Sequence, residues 1–227
     1  MTAMSAKMRI PASRVGPISN DRMAARFAYA AGATVILANL CLVALYVLLG
    51  LQGGSPEGGT LLGSAFHVAG SASDLLGSLA AALMIPVALA LGGRLTRRRA
   101  ARFTQAAGLT AMLFLSVGGP LLVLGLLPFE VSTLNAVGSY MVLCLWLFLT
   151  NRWLLRSGAI RPRLARFGEL VGAGALAGYV VVGLGLLLPW MSWPQLVVFG
   201  VGVLIGLPAW LCIPAWFLFL GRHLGRS

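Results

Sequence analysis

Few side chains in this sequence could take part in acid–base, metal or ion chemistry, and they are widely spaced. The acidic residues are Asp21, Glu57, Asp74, Glu130 and Glu169, and the histidines are His67 and His223. His67 and Asp74 stand seven residues apart, a spacing that a continuous helix would place on one face. This pair is the only arrangement in the chain that resembles an acid–base couple or the start of a metal site. A protein metal site usually takes three or more ligands, and no third ligand accompanies the pair. Asn39, Asn135 and Ser139 lie inside apolar runs, the last two one helical turn apart. In lipid, such groups either hydrogen-bond a neighbouring helix or line a pocket near the bilayer midplane. The candidate ligand-binding residues are therefore Asn39, Asn135, Ser139, His67 and Asp74. The three that lie in apolar runs would frame a pocket between the first, third and fourth apolar segments.

Other chemistries leave no trace. There is no GxSxG elbow, no HExxH helix and no phosphate-binding glycine loop. Cys41, Cys144 and Cys212 each stand alone, without a CxxC pair or metal-ligand spacing, and read as buried small hydrophobes. Bulky Leu40 before Cys41 does not fit a lipoprotein signal. The expectation is a protein without catalytic residues, cofactor or metal, and not an enzyme.

The elements that must hold these residues follow from composition. The chain is 59% hydrophobic and 10% charged, against about 45–50% and 25% in soluble domains. Its solvent is expected to be lipid. Five arginines fall between Arg94 and Arg102, and a cluster of that kind stays on the cytoplasmic side of a membrane. Counting crossings outward from it gives an all-α integral membrane bundle of six transmembrane helices with both termini cytoplasmic. A basic arm (1–26) precedes crossings at about 27–51, 74–93, 103–127, 131–150, 167–188 and 196–220, and a tail (222–227) ends the chain. The first run is too long for a signal peptide. On this threading all seventeen Lys and Arg residues lie inside. The net charge of +12 is divided among short connectors without a nucleic-acid motif. Arg94–Arg102 and Arg152–Arg166 instead suit anionic lipid head groups.

Threading also assigns the carboxylates. Asp74 and Glu130 fall at the outer starts of helices two and four, and Glu169 at the inner start of helix five, where an anion complements free N–H groups. Asp21 sits beside Arg22 in the arm. Glu57 and His67 belong to the glycine-rich connection Gln52–Ser73, which has room for a surface or re-entrant helix around Leu61–Val68. Gly32, Asn39 and Tyr46 form a heptad stripe facing protein. Gly168/Gly172, Gly174/Gly178 and Gly202/Gly206 permit close helix approach, within the chain or with a second membrane protein or copy. Bends are expected at Pro86, Gly118-Gly119-Pro120, Pro208 and Pro214. Trp190 and Trp193 suit an interfacial aromatic belt.

The stretch Leu154-Leu-Arg-Ser-Gly-Ala-Ile-Arg-Pro-Arg-Leu-Ala-Arg-Phe-Gly168, with Ser73-Asp74-Leu75 before the second crossing, resembles an uncharacterised family of bacterial six-helix membrane proteins, a domain of unknown function. The chain departs from that pattern at Leu145 and Trp146, where the family often has a histidine. The resemblance implies the six-helix architecture and a bacterial cytoplasmic (inner) membrane. The use of arginine over lysine suits a GC-rich bacterial genome. The expected role is a non-catalytic accessory protein or a binder of a small apolar ligand or lipid. A small transporter or permease is the alternative, and a membrane enzyme using His67 and Asp74 the second.

Overall fold

The structure is a computed structural model that describes residues 18–51, 61–95, 99–189 and 192–226. Among the described residues there are six helices and no strand: α1 (Ile18–Leu51), α2 (Leu61–Gly92), α3 (Arg99–Val123), α4 (Phe129–Ser157), α5 (Pro162–Gly185) and α6 (Trp193–Leu224). All six are long and apolar enough to cross a membrane.

Local chemistry sets several ends. α4 stops where Gly158 adopts a left-handed φ of 66° and its N–H reaches the carbonyls of Leu154 and Leu155, the conformation glycine enters without steric penalty. Pro162 opens α5, at a position that needs no N–H donor. The Ser192 hydroxyl accepts the Gln195 N–H and caps α6.

Each helix packs against its neighbours in sequence, and α6 closes on α1. The result is an antiparallel ring of six. Antiparallel order brings the start of α1, the end of α2, the start of α3, the end of α4, the start of α5 and the end of α6 to one end. Every arginine among the described residues lies at or near that end. Two ion pairs tie it together: Arg94 with Asp21 at 2.6 Å, and Arg152 with Glu169 at 3.2 Å. Such partly exposed pairs contribute at most about 1 kcal/mol each.

The arginine end is filled. Ala28, Val87, Leu91, Met112, Trp146, Leu154, Trp216, Phe217 and Leu220 are fully buried there. Helices this apolar, where they cross a bilayer, are held by close packing rather than by water exclusion. Glycine makes that possible on two sides of α5. A Cβ on Gly172 would sit 2.5 Å from the Phe148 backbone of α4, and one on Gly178 would sit 2.4 Å from Gly206 Cα of α6.

Gln105 adds a polar tie. Its Nε2 donates to the Ala88 carbonyl at 2.6 Å, and its Oε1 accepts from Trp146 Nε1 at 3.0 Å, joining α2, α3 and α4. Gln105→Leu leaves the buried Trp146 N–H without its acceptor. The expected loss is about 1–3 kcal/mol, read as an earlier midpoint when protein in mixed micelles is titrated with SDS. An unchanged midpoint would show that the tie contributes nothing.

Several boundaries differ from expectation. α1 begins at Ile18 rather than near residue 27, so Asp21 lies in its first turn and pairs with Arg94. α2 begins at Leu61, so the segment read as a separate surface helix is continuous with the second crossing. Asp74 is therefore inside α2 and caps nothing, which corrects its assignment to a helix start. Glu169 lies beyond the first turn of α5 and pairs with Arg152, whereas Glu130 is in the first turn of α4 as expected. α2, α3 and α6 run on through their prolines. The beginning of the arm, Glu57, residues 96–98 and Trp190 lie outside the described residues.

Candidate functional site

Packing is tight at the arginine end and loose beyond it. There the ring encloses a cavity of about 410 Å³ lined by residues from all six helices. Asn39 and Tyr46 come from α1, Ser73, Asp74 and Gly77 from α2, and Gly118 and Gly119 from α3. Asn135 and Tyr140 come from α4, Tyr179 from α5 and Trp210 from α6. Asn135 and Tyr179 lie towards the far ends of α4 and α5 and Asp74 near the middle of α2, so the cavity runs from mid-bundle into the half remote from the arginines.

Three rings form one wall. Tyr140 and Tyr179 stack with centroids 5.3 Å apart, and Trp210 meets both edge-on, at 4.8 and 5.7 Å. The Trp210 indole N–H donates to Asn39 Oδ1 at 3.2 Å, which fixes both side chains and joins α6 to α1. Opposite, two serines hold α2 in place. Ser73 donates to the Ala38 carbonyl of α1 at 3.3 Å, and Ser78 to the Leu115 carbonyl of α3 at 2.8 Å. Glycine again decides how near the helices come. A Cβ on Gly119 would lie 2.5 Å from the Asp74 carbonyl oxygen, and one on Gly118 would lie 2.8 Å from Asn135 Nδ2. That amide donates to the Phe114 carbonyl at 3.4 Å.

Among the described residues Asp74 is the one charged side chain on the lining. It is exposed, and no ion pair to it occurs among the described residues.

The five expected site residues divide. Asn39, Asp74 and Asn135 line the one cavity. Ser139 lines a separate, shallow groove between α3 and α4 and touches the cavity only through a long 3.5 Å hydrogen bond to Asn135 Oδ1. His67 is exposed on α2, edge-on to Phe66, and does not line the cavity. The expected pocket between helices one, three and four is also wider than that, since it takes a wall from every helix. No group of three or more His, Cys, Asp or Glu side chains that could hold a metal occurs among the described residues.

Sequence reasoning missed the aromatic wall. Tyr140, Tyr179 and Trp210 lie in apolar runs, and nothing in their spacing along the chain marks them as a group. The packing of α4 on α5 and of α5 on α6 brings the three rings together, and closure of the ring by α6 on α1 sets Asn39 against Trp210.

No family model, no curated protein and no solved structure matches the chain.

Proposed function

We propose that this chain is an integral protein of a bacterial cytoplasmic membrane that binds a small, largely apolar ligand in the cavity of its six-helix ring, without changing it covalently. The cavity carries this reading. Its volume of about 410 Å³ falls in the range of small-molecule sites, about 300–1,000 Å³. Most of its wall is apolar, with a few polar groups set among glycine, alanine, leucine and aromatic side chains. Its glycines and alanines are what leave room for a guest.

The direct test is uptake of a neutral apolar probe. Protein in lipid nanodiscs is expected to take up neopentylbenzene above the partitioning into empty nanodiscs, because the ring offers an apolar space large enough for it. Uptake no greater than into empty discs would refute the proposal.

A transporter is the second reading, favoured by one asymmetry. The bundle is filled at the arginine end and hollow at the other, the form of a carrier with one side closed. Solute movement into protein-loaded vesicles, reduced by Asn39→Leu and Asn135→Leu, would support it over simple binding. An enzyme using His67 with Asp74 draws no support from a histidine that does not line the cavity.

The threading has its own test. Reporters fused after Gly58 and Trp193 are expected outside the cytoplasm, and those after Arg99, Arg161 and Ser227 inside, because cationic connectors stay behind. A single reporter on the opposite face would refute the orientation.

A further inference from the structure

The geometry points to a more definite ligand class: the cavity takes an organic monocation, an amine or quaternary ammonium group carried on an apolar body. This rests on the cavity being a ligand site and adds the charge of its guest.

Among the described residues the lining holds one carboxylate, Asp74, and no Lys, Arg or His. No cation of the protein neutralises that carboxylate among the described residues, and the arginines are gathered at the other end of the ring. A carboxylate at membrane depth, even one exposed on a cavity wall, is costly unless it has a partner. An anionic ligand would meet Asp74 with nothing to offset the repulsion. A neutral hydrocarbon would remove water from the carboxylate and return no charge to it. A cation satisfies it.

The aromatic wall selects for the same sign. Tyr140, Tyr179, Trp210 and Tyr46 all line the space, and the faces of such rings attract cations, particularly alkylated ammonium groups. The Trp210 N–H is already committed to Asn39, so this indole offers its ring rather than a donor.

Size separates an organic cation from a metal ion. A hard metal cation draws six or more oxygens into a shell about 2–2.6 Å in radius. A space of about 410 Å³ is far larger and mostly apolar, and suits a cation that brings its own hydrocarbon.

The test compares two isosteres, benzyltrimethylammonium and neutral neopentylbenzene, by isothermal titration of protein in nanodiscs, with empty nanodiscs as the reference. The cation is expected to bind at least about tenfold more tightly than its neutral isostere. Asp74→Asn should erase that preference by weakening the cation, and neopentylbenzene, with no carboxylate left to desolvate, should bind at least as tightly as to the wild type, which also shows that the variant is folded. Asp74→Glu should keep most of the preference. Equal binding of the two probes, or a preference that survives Asp74→Asn, overturns the cation assignment and leaves the cavity reading standing. Binding of neither probe overturns both. If Asp74→Asn loses the neutral probe as well, Asp74 serves the fold rather than charge selection, and the assignment is overturned.

Discussion

Gly178→Leu is expected to prevent the ring from closing between α5 and α6. A Cβ at Gly178 would sit 2.4 Å from Gly206 Cα and 2.7 Å from the Gly202 carbonyl oxygen. These are backbone atoms of a helix, so no side-chain rotation relieves the clash and the helices must move apart. Overpacking a tight site costs about 1–3 kcal/mol, the range expected for Gly178→Ala. Leucine adds three more carbons and should exceed it, against a total stability of about 5–15 kcal/mol. Gly206→Ala is milder, because its Cβ would meet Gly178 Cα at 3.1 Å and little else. Gly200, with nothing within 4 Å, supplies the control, and Gly200→Ala should be neutral or slightly stabilising. SDS-induced unfolding midpoints would rank the four variants. A wild-type midpoint for Gly178→Leu would mean that α5 and α6 are not in backbone contact.

That glycine contact was readable as a spacing but not as a partner. Gly174/Gly178 and Gly202/Gly206 announce that a helix can come close, without saying whether the helix belongs to the same chain. The ring uses them internally.

Six helices and the sorting of arginines to one end were legible because the physics is one-dimensional. An arginine is costly in lipid wherever it stands in sequence, so its position along the chain is enough. The boundaries were less legible. Leu61–Ser73 carries glycines and serines that are poor helix formers in isolation. Its helical state has tertiary support: α2 packs beside Leu45 of α1 at Gly70, and Ser73 donates to the Ala38 carbonyl of α1. The arginine-rich stretch Arg152–Arg166 was read as a connector, yet arginine is a good helix former. α4 and α5 extend into it from both sides, leaving only residues 158–161 between them. Asp74 changed meaning with the start of α2. A carboxylate expected at a helix end became one on the wall of a cavity, and His67, expected beside it, stayed on the surface of the same helix.

Gly77→Phe is expected to abolish ligand binding while leaving the ring intact, the reverse of the outcome at Gly178. A Cβ at Gly77 meets only the Tyr140 hydroxyl oxygen, at 3.8 Å, and the residue lines the cavity. A benzyl group built there has open space ahead of it and would occupy the volume a guest needs. Removing a glycine from a helix interior should also raise stability by up to about 1 kcal/mol. Both neopentylbenzene and benzyltrimethylammonium should then lose at least about tenfold in affinity, with an SDS midpoint equal to or above that of the wild type. Gly119→Phe lines the same space but should fail differently. Its Cβ would lie 2.3 Å from Ser78 Oγ and 2.5 Å from the Asp74 carbonyl oxygen, so it would push α3 from α2 and lower the midpoint. Wild-type affinity in a stable Gly77→Phe protein would place the ligand outside the ring, because a guest and a benzyl group could not share that wall.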